Sequence, residues 1–252
     1  MSSKIAVITG GSRGIGRSAA LNLAAMGVDV VITYHERQHD ADKVVSEVAA
    51  LNRRGAAIKL DVGSTAGFKT FGDELGRTLK AVWGRDTFDF LVNNAGSGSP
   101  AAFVDTSEES FDRLCNIHLK SVFFLTQTLL PLLADGGRIV NISTGLTRYC
   151  LPGMAAYAVM KGGVEVLSRY LAKELGPRRI AVNAVAPGAI ATDFNGGVVR
   201  DNPDYNRRVA DATALGRVGM PDDIGGIVAS LLSDTNEWIN GQRIEANGGA
   251  YL

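Results

Sequence analysis

Tyr157 and Lys161 are the residues of this chain whose types and spacing most directly suggest chemistry. They lie in a stretch, residues 154–175, whose composition predicts a helix, and positions i and i+4 of a helix share one face. The pKa of an ordinary tyrosine is about 10, and a nearby cation lowers it by roughly 1–3 units because it favours the phenolate. The pair is therefore suited to proton transfer, although the same spacing also fits a structural tyrosine beside a solvated lysine.

A glycine-rich turn near the start of the chain is suited to binding a phosphate group. It reads Thr9-Gly10-Gly11-Ser12-Arg13-Gly14-Ile15-Gly16, with an apolar run at 5–8 that predicts a buried strand and residues 19–25 that predict a helix. Glycines let the backbone approach a ligand, and the free N–H groups of a helix N-terminus favour negative charge. The flanking strand and helix therefore predict a dinucleotide site rather than a plain tight turn, although the spacing differs from the commoner Gly-x-Gly-x-x-Gly.

The rest of the chain alternates apolar runs with stretches of helical periodicity. We predict strands at 5–8, 28–33, 56–60, 88–92, 138–142, 180–185 and 243–246, and later helices at 40–52, 68–82, 107–133, 154–175 and 221–233. This alternation predicts an α/β fold: a single doubly wound, Rossmann-type parallel sheet of about seven strands with helices on both faces. We expect one domain over residues 1–252. Residues 189–217 fit no element and are expected to form a substrate-binding loop or lid.

Composition excludes several classes of function. The 26 acidic and 26 basic residues leave no net charge, which argues against nucleic acid or an anionic membrane as a partner. No apolar run approaches the roughly 20 residues of a membrane-spanning helix, and residues 1–4 leave no room for a signal peptide before the first strand. Cys115 and Cys150 follow no metal-binding or redox spacing. We expect a cytoplasmic protein that binds small molecules and no metal.

Five motifs, taken in order, resemble those of a classical short-chain dehydrogenase/reductase, and the resemblance covers essentially the whole chain. They are the turn 9–16, Asn93-Asn94-Ala95-Gly96, the Tyr157/Lys161 pair, Pro187-Gly188 and Asn247-Gly248-Gly249. The resemblance implies an oxidoreductase in which Tyr157 is the general acid in carbonyl reduction and the base in alcohol oxidation. It also implies that Lys161 lowers the pKa of the phenol and holds the nicotinamide ribose.

The sequence departs from the family pattern at two positions. The catalytic hydroxyl of the family falls on Thr144, while Ser143 directly precedes it in the extended chain that continues the strand 138–142, where neighbours point to opposite faces. We assign to Thr144 the hydrogen bond to the oxygen on which charge develops. His118 stands where the family has a catalytic asparagine whose backbone carbonyl helps to hold a water molecule. The imidazole either assists a proton relay or only fills space, and we favour the second interpretation.

The resemblance further implies cofactor contacts from positions that follow several predicted strands. They are Gly10, Ser12, Arg13, Gly14, Ile15 and Gly16; Tyr34, His35 and Arg37; Asp61 and Val62; Asn93, Ala95 and Gly96; Tyr157 and Lys161; and Pro187, Gly188, Ile190 and Thr192. For Asp61, a role as a turn residue that ends the third strand is an equally good interpretation.

The residues after the second strand favour NADP(H) over NAD(H). An NAD enzyme commonly has a carboxylate there for the ribose hydroxyls, but family alignment places Tyr34 at that position. Arg13 is suited to a 2′-phosphate because it is always charged and bonds it bidentately, and His35 and Arg37 add donors. Glu36 is the opposing observation.

These features predict an NADPH-dependent carbonyl reductase that acts on a small carbonyl or alcohol substrate. Two alternatives remain: an NAD-dependent alcohol dehydrogenase, and a catalytically weak nucleotide-binding regulatory protein, which the substitutions at Thr144 and His118 suggest. Apolar residues in 189–217 and near the catalytic helix are suited to line a substrate pocket, and ordinary packing explains them nearly as well. The resemblance also implies a homotetramer built through helices 107–133 and 154–175 and the C-terminal region.

Overall fold

The computed structural model describes residues 3–252 of the chain. Its strands are β1 (Ile5–Ile8), β2 (Asp29–Tyr34), β3 (Gly55–Lys59), β4 (Phe88–Asn93), β5 (Leu133–Ile142), β6 (Ala181–Pro187) and β7 (Arg243–Ala246). Its α-helices are α1 (Gly14–Ala25), α2 (Gln38–Ala50), α3 (Phe68–Trp83), α4 (Glu108–Cys115), α5 (Ser121–Leu129), α6 (Ala155–Glu174), α7 (Val198–Asp201), α8 (Pro203–Asp211) and α9 (Pro221–Leu231).

All seven strands form one parallel sheet in the order β3-β2-β1-β4-β5-β6-β7. The chain winds outwards from β1 to β3 and then restarts at β4 on the other side of β1. Such a reversal opens a crevice at the carboxyl ends of the strands, where open α/β sheets bind their ligands. The predicted seven-stranded Rossmann-type sheet is therefore confirmed.

Two apolar layers cover the sheet, one on each face. In β1, Ala6 and Ile8 pack with α1, α2 and α9, whereas Ile5 and Val7 pack with α3, α5 and α6. Strands buried on both faces need apolar side chains at every position, which explains why β1 and β2 read as continuous apolar runs rather than alternating ones. Helix α3 shows the complementary pattern, because its residues at helical spacing, Phe68, Phe71, Leu75, Leu79 and Trp83, are all buried.

The prediction of one continuous helix over 107–133 is wrong. It consists of α4, a π-helical segment at Asn116–Lys120, α5 and a short 3₁₀ turn at Leu130–Leu132, after which β5 begins at Leu133. A π-helical segment places an extra residue in one turn, and such segments are frequent at functional sites. Here the segment contains His118.

Residues 189–217, for which the sequence predicts no element, contain the two short helices α7 and α8. The segment is fastened at both ends: Ile190 pairs with Gly219, and the C-terminal Gly248 and Gly249 accept hydrogen bonds from the backbone of residues 214 and 215. Helix α7 has only four residues and α8 is mostly polar, so they give little apolar periodicity for a sequence pattern to detect. Among the helices of residues 3–252, none combines the length and the apolar character needed to cross a membrane.

Candidate active site

The carboxyl ends of four neighbouring strands bring the predicted site residues to one edge of the sheet. The glycine-rich turn follows β1, and Asn94 to Gly96 follow β4. Thr144 follows β5 by two residues, and Pro187 and Gly188 lie at the end of β6. Residues that are far apart in the sequence therefore meet here because parallel strands share the direction of their carboxyl ends.

The glycine-rich turn lets a ligand approach its backbone, and its glycine positions do not accommodate larger residues. Gly10 and Gly14 have φ angles of 63° and 54°, a region that L-residues with side chains avoid. A Cβ at Gly16 would lie 2.4 Å from the Gly10 carbonyl oxygen. No side chain caps α1 at Arg13, so the N-terminus of the helix keeps its free N–H donors. This turn fits the pyrophosphate of a dinucleotide.

Asn94 holds the glycine-rich turn against β4, a role that the sequence analysis did not assign. Its side-chain amide donates to the carbonyl oxygens of Thr9 (2.9 Å) and Gly10 (3.2 Å). The Thr9 hydroxyl in turn accepts from the backbone N–H groups of Asn94 and Ala95. The doubled asparagine before Ala95 was the signal available in the sequence, but only the pairing of β1 with β4 shows what it binds.

Asn93 has a different environment from its neighbour. Its buried side-chain amide donates to Thr126 (3.0 Å) and to Asn141 (2.8 Å), and Asn141 donates in turn to Ser168. These bonds join β4 and β5 to α5 and α6. The side chain of Asn93 is therefore occupied in the core, and a cofactor contact from this residue remains a prediction that rests on its backbone.

Tyr157 and Lys161 lie on one face of α6, as their spacing predicts, and both are buried. The Lys161 Nζ donates to the carbonyl oxygen of Ile142 at 2.6 Å and lies 5.9 Å from the centre of the Tyr157 ring. Burial lowers the pKa of Lys161 to about 8. Burial also raises the pKa of Tyr157 above its ordinary value, and the hydroxyl of Thr144 opposes that rise by hydrogen bonding.

Thr144 and Ser143 face different partners. The Thr144 hydroxyl lies beside Tyr157 and accepts from the backbone of Leu146 at 3.3 Å. The Ser143 hydroxyl donates instead to Glu165 on α6 at 2.6 Å. The two side chains leave the strand in opposite directions, as alternation requires. The geometry therefore supports Thr144 rather than Ser143 as the hydroxyl next to the phenol.

His118 packs against the ring of Tyr157. Its ring meets the Tyr157 ring edge-on with centroids 5.0 Å apart, and it is 1% exposed. Its Nε2 lies 2.6 Å from the carbonyl oxygen of Ser97. Burial lowers the pKa of His118 to about 3, and the charges of Lys161 and Arg113 add to that fall. The imidazole is therefore neutral near pH 7.

After β2, basic side chains lie close to carboxylates. Arg13 and Arg37 each place a guanidinium nitrogen 3.8 Å from the carboxylate of Asp40, so both lie near the N-terminus of α2. His35 lies between Glu36 and Asp61, 3.9 Å from each carboxylate. Glu36 itself is strongly exposed. Two guanidinium groups and an imidazole thus surround the position where Tyr34 ends the strand.

The remaining predicted cofactor residues border the same crevice. Ser12 and Ile15 belong to the glycine-rich turn and the first turn of α1, and Val62 follows Asp61 after β3. Asp61 accepts from the backbone of Gly63 at 2.8 Å, so it does act as a turn residue. Gly188 packs so closely on Asn247 that a Cβ there would lie 3.0 Å from its Cα.

The start of the 189–217 segment packs against Tyr157 and the glycine-rich turn. The Phe194 ring lies 5.7 Å from the Tyr157 ring, and the Thr192 methyl group would lie 3.3 Å from a Cβ at Gly14. Asp193 forms an ion pair with Arg13 of the glycine-rich turn and another with Arg200 at 2.6 Å. Segment and turn together thus form two walls of one crevice.

A family model described as enoyl-(acyl carrier protein) reductase matches residues 10–251. An uncharacterised oxidoreductase of Methylorubrum extorquens is 36% identical over 246 residues, which cover 98% of this chain and 97% of the relative. This similarity extends over nearly the whole chain and agrees with the geometry of the site. The chain belongs to the short-chain dehydrogenase/reductase family.

Solved structures of other family members share the whole fold with this short-chain dehydrogenase/reductase. LugOII, a promiscuous reductase that catalyses keto-reduction at C1 during lugdunomycin biosynthesis, superposes with a TM-score of 0.94 and 36% identity, covering 100% of this chain and 99% of its own. The angucycline C-6 ketoreductase LanV, solved with bound NADP, gives a TM-score of 0.93 and 35% identity, covering 98% and 95%. A further LanV structure holds NADP and rabelomycin. This chain is thus an oxidoreductase by family.

Proposed function

We propose that the protein is an NADPH-dependent carbonyl reductase in which Tyr157 is the general acid. The observation that carries the proposal is the convergence of a buried phenol, a buried ammonium group and a threonine hydroxyl at the carboxyl edge of the sheet. Each group comes from a position where the family has its catalytic residues. Fold alone would not choose this reaction, because similar folds carry many chemistries.

The side chains divide the work of proton transfer. Burial keeps the Tyr157 phenol protonated, which is the form a general acid needs in reduction. Lys161 is protonated below about pH 8, and its charge stabilises the phenolate left after the proton moves to the carbonyl oxygen. The Thr144 hydroxyl, beside the phenol, donates to that same oxygen as negative charge develops on it. Hydride transfer is the chemistry that a bound nicotinamide supplies.

NADP(H) is the cofactor that we propose, because two arginines and a histidine lie near the end of β2. The glycine-rich turn would hold the pyrophosphate, and Arg13 with Arg37 and His35 would hold the 2′-phosphate. The side chain of Glu36, which argued for NAD(H), is exposed and lies beside the imidazole of His35. The bound NADP in LanV agrees with this assignment.

We infer that the substrate is a ketone with aromatic or other extended apolar surface. The Phe194 ring and the His118 ring both pack on Tyr157, so the reacting carbonyl would enter between flat, largely apolar walls. LugOII catalyses keto-reduction at C1 during lugdunomycin biosynthesis and LanV is an angucycline C-6 ketoreductase, and this chain matches both along nearly its full length.

We also propose that the enzyme is a homotetramer. Val159, Val166 and Tyr170 form an exposed apolar row on α6, with 61%, 45% and 64% of their surfaces accessible. Their spacing places them on one face of the helix. The family resemblance assigns this helix to a subunit interface, and burial against another copy would remove these side chains from water.

Replacing Tyr157 by Phe tests the proposal. We expect Tyr157→Phe to lose ketone reduction by at least about 10²–10⁴-fold, because that is the typical contribution of general acid catalysis, while NADPH affinity changes little. A panel of aromatic and aliphatic ketones, followed by NADPH absorbance, measures the rate, and fluorescence titration measures binding. Full activity in this variant would contradict the assignment.

The same panel separates the alternatives. Tight NADPH binding without turnover of any ketone by the native protein would favour a regulatory nucleotide-binding protein. Turnover only of alcohols with NAD⁺ would favour the dehydrogenase.

A further inference from the structure

Three buried polar atoms lie close to the catalytic residues without a hydrogen-bond partner. Within residues 3–252, the buried side-chain atoms in this condition are Ser97 Oγ, His118 Nδ1 and Asn195 Oδ1. An unpaired polar atom in a protein interior is unfavourable, and such groups are rare in native structures. None of the three serves the proton transfer described above. Their common location therefore suggests a shared ligand.

The three residues are connected to the Tyr157 ring either directly or through one neighbour. His118 contacts it edge-on, Ser97 is bonded to His118 through its main chain, and Asn195 follows Phe194, whose ring is 5.7 Å from Tyr157. Asn195 lies directly over Gly98, where a Cβ would come within 1.4 Å of its Oδ1. Only glycine at position 98 leaves room for this amide. The arrangement brings two chain segments, 96–98 and 194–195, to the same place.

The hydrogen-bonding character of His118 follows from its fixed neighbour. Its Nε2 lies 2.6 Å from the carbonyl oxygen of Ser97, which can only accept, so Nε2 carries the proton. The approach of the Ser97 N–H to the same nitrogen, at 3.4 Å, is longer and secondary. Because the ring is neutral, Nδ1 is then an acceptor.

The three unpaired atoms together need a hydrogen-bond donor from a ligand. His118 Nδ1 and Asn195 Oδ1 are acceptors, and the Ser97 hydroxyl can accept or donate. A ligand carbonyl or ether oxygen would leave both acceptors unpaired. A ligand ammonium group is disfavoured by the charge of nearby Lys161, which also contributes to the low pKa of His118. A neutral hydroxyl group fits this set, because its O–H can donate to one of the acceptors while its oxygen accepts from the Ser97 hydroxyl.

We propose that Ser97, His118 and Asn195 form a subsite that binds a hydroxyl group of the substrate close to the carbonyl that is reduced. The enzyme then selects hydroxylated ketones, such as phenolic ones, over ketones of the same shape without the O–H donor. The inference rests on the proposed carbonyl reductase activity and specifies its substrate class. It also gives the imidazole of His118 a task other than proton relay.

The test compares matched substrates in the full-length enzyme with NADPH. The substrates are α-tetralone, its ring-hydroxylated isomers and the corresponding methoxy compounds. A methoxy group resembles a hydroxyl in its electronic effect on the carbonyl but cannot donate a hydrogen bond. The hydroxy compound is therefore compared both with its methoxy counterpart and with the smaller, unsubstituted α-tetralone, and we expect its kcat/KM to exceed both by about tenfold or more for the best isomer.

Three variants remove the acceptors one at a time. They are His118→Phe, which keeps a ring of similar size; Asn195→Gly, which suits the backbone φ of 52° at that position; and Ser97→Ala. We expect the hydroxy-to-methoxy ratio to fall towards one in His118→Phe and Asn195→Gly. The ratio is insensitive to a general loss of activity, and Asn195→Gly keeps the test valid if His118→Phe does not fold.

The outcomes for the inference and for the proposed function are distinct. Two results would overturn the hydroxyl subsite and leave the reductase function intact. The first is that the native enzyme reduces the tetralones with a hydroxy-to-methoxy ratio near one. The second is that the ratio is high in the native enzyme and stays equally high in all folded variants. No reduction of any ketone by the native enzyme would instead remove the proposed function, and with it this inference.

Discussion

At the scale of single residues, His118 is the side chain whose environment most changes its chemistry. A group with a pKa of about 3 stays neutral across the pH range in which the enzyme works, so it supplies no titration near neutrality. This favours a packing and binding role over a proton relay. It also makes the folded state sensitive to acid, because the unfolded imidazole has its ordinary pKa of about 6.5.

The sign of the effect on stability follows from these two pKa values. Between about pH 6.5 and pH 3 the unfolded chain binds a proton at His118 that the folded chain does not, so the free energy of unfolding decreases as the pH falls. The loss is about 1.4 kcal/mol per pH unit in this window. Between pH 7 and pH 4.5 we therefore expect the native protein to lose about 2 to 3 kcal/mol more stability than His118→Asn does.

Urea unfolding of both proteins at the two pH values measures this difference. His39→Asn, a change at an exposed histidine on α2, is the control and should behave like the native protein. Equal acid sensitivity of His118→Asn and the native protein would show that the buried imidazole is not held neutral.

Arg13 is the second residue whose role can be isolated. Removing a charge-assisted contact to phosphate costs about 1.5–3 kcal/mol. We expect Arg13→Ala to raise the Kd of NADPH by about tenfold or more and to change that of NADH little. Isothermal titration with each cofactor measures both constants.

Asp193→Asn is the matched control for Arg13, because it removes the carboxylate that pairs with this guanidinium in the cofactor-free structure. It should leave NADPH binding unchanged or strengthen it, since Asp193 would no longer compete with the phosphate. An equal loss of affinity for NADPH and NADH in Arg13→Ala would show that Arg13 holds the pyrophosphate or the turn itself.

At the scale of elements, a polar cluster joins α6 to β7 behind the catalytic threonine. Glu165 accepts hydrogen bonds from Ser143 (2.6 Å), Thr147 (2.8 Å) and Arg243 (2.7 Å). Arg243 also donates to the carbonyl oxygen of Thr144 at 3.2 Å. The cluster fixes the turn after β5 and so keeps the Thr144 hydroxyl beside the phenol.

Loss of the charge at Glu165 should therefore destabilise the fold. Breaking one partner of a buried ion pair costs about 3–5 kcal/mol, and partial exposure of Arg243 reduces this, so we expect about 2 kcal/mol for Glu165→Gln. Thermal and urea unfolding measure the change. Glu174→Gln, at the exposed end of the same helix, should stay within about 0.5 kcal/mol of the native protein. A similar small change in Glu165→Gln would show that the cluster contributes little.

At the scale of the whole molecule, the exposed apolar row on α6 determines the assembly that we expect. Sedimentation velocity at micromolar concentration should give a tetramer. Tyr170→Glu places a charge in the proposed interface, where burial without a partner is costly, and should shift the distribution towards smaller species. Lys69→Glu, a charge reversal on the exposed surface of α3, should not. A stable monomer of the native protein would contradict the assembly.

Local patterns in the sequence determined the sheet, the glycine-rich turn and the face of α6 that carries Tyr157 and Lys161. Continuous apolar runs identify strands buried on both faces, and a helix necessarily aligns Tyr157 with Lys161, because these patterns depend on residues within a few positions of each other. The opposite orientations of Ser143 and Thr144 follow from the same kind of local rule.

Tertiary structure decided what depends on contacts between distant segments. The helix predicted over 107–133 is interrupted at residues 116–120, where His118 packs between Ser97 and Tyr157. Asn94 and Asn93, adjacent in sequence, have separate tasks because one meets the turn after β1 and the other meets β5. The pKa of His118 is set by burial and by Lys161, which is 43 positions away. Burial and charge at a site come from all the segments that pack around it, and a pattern along one segment carries no record of them.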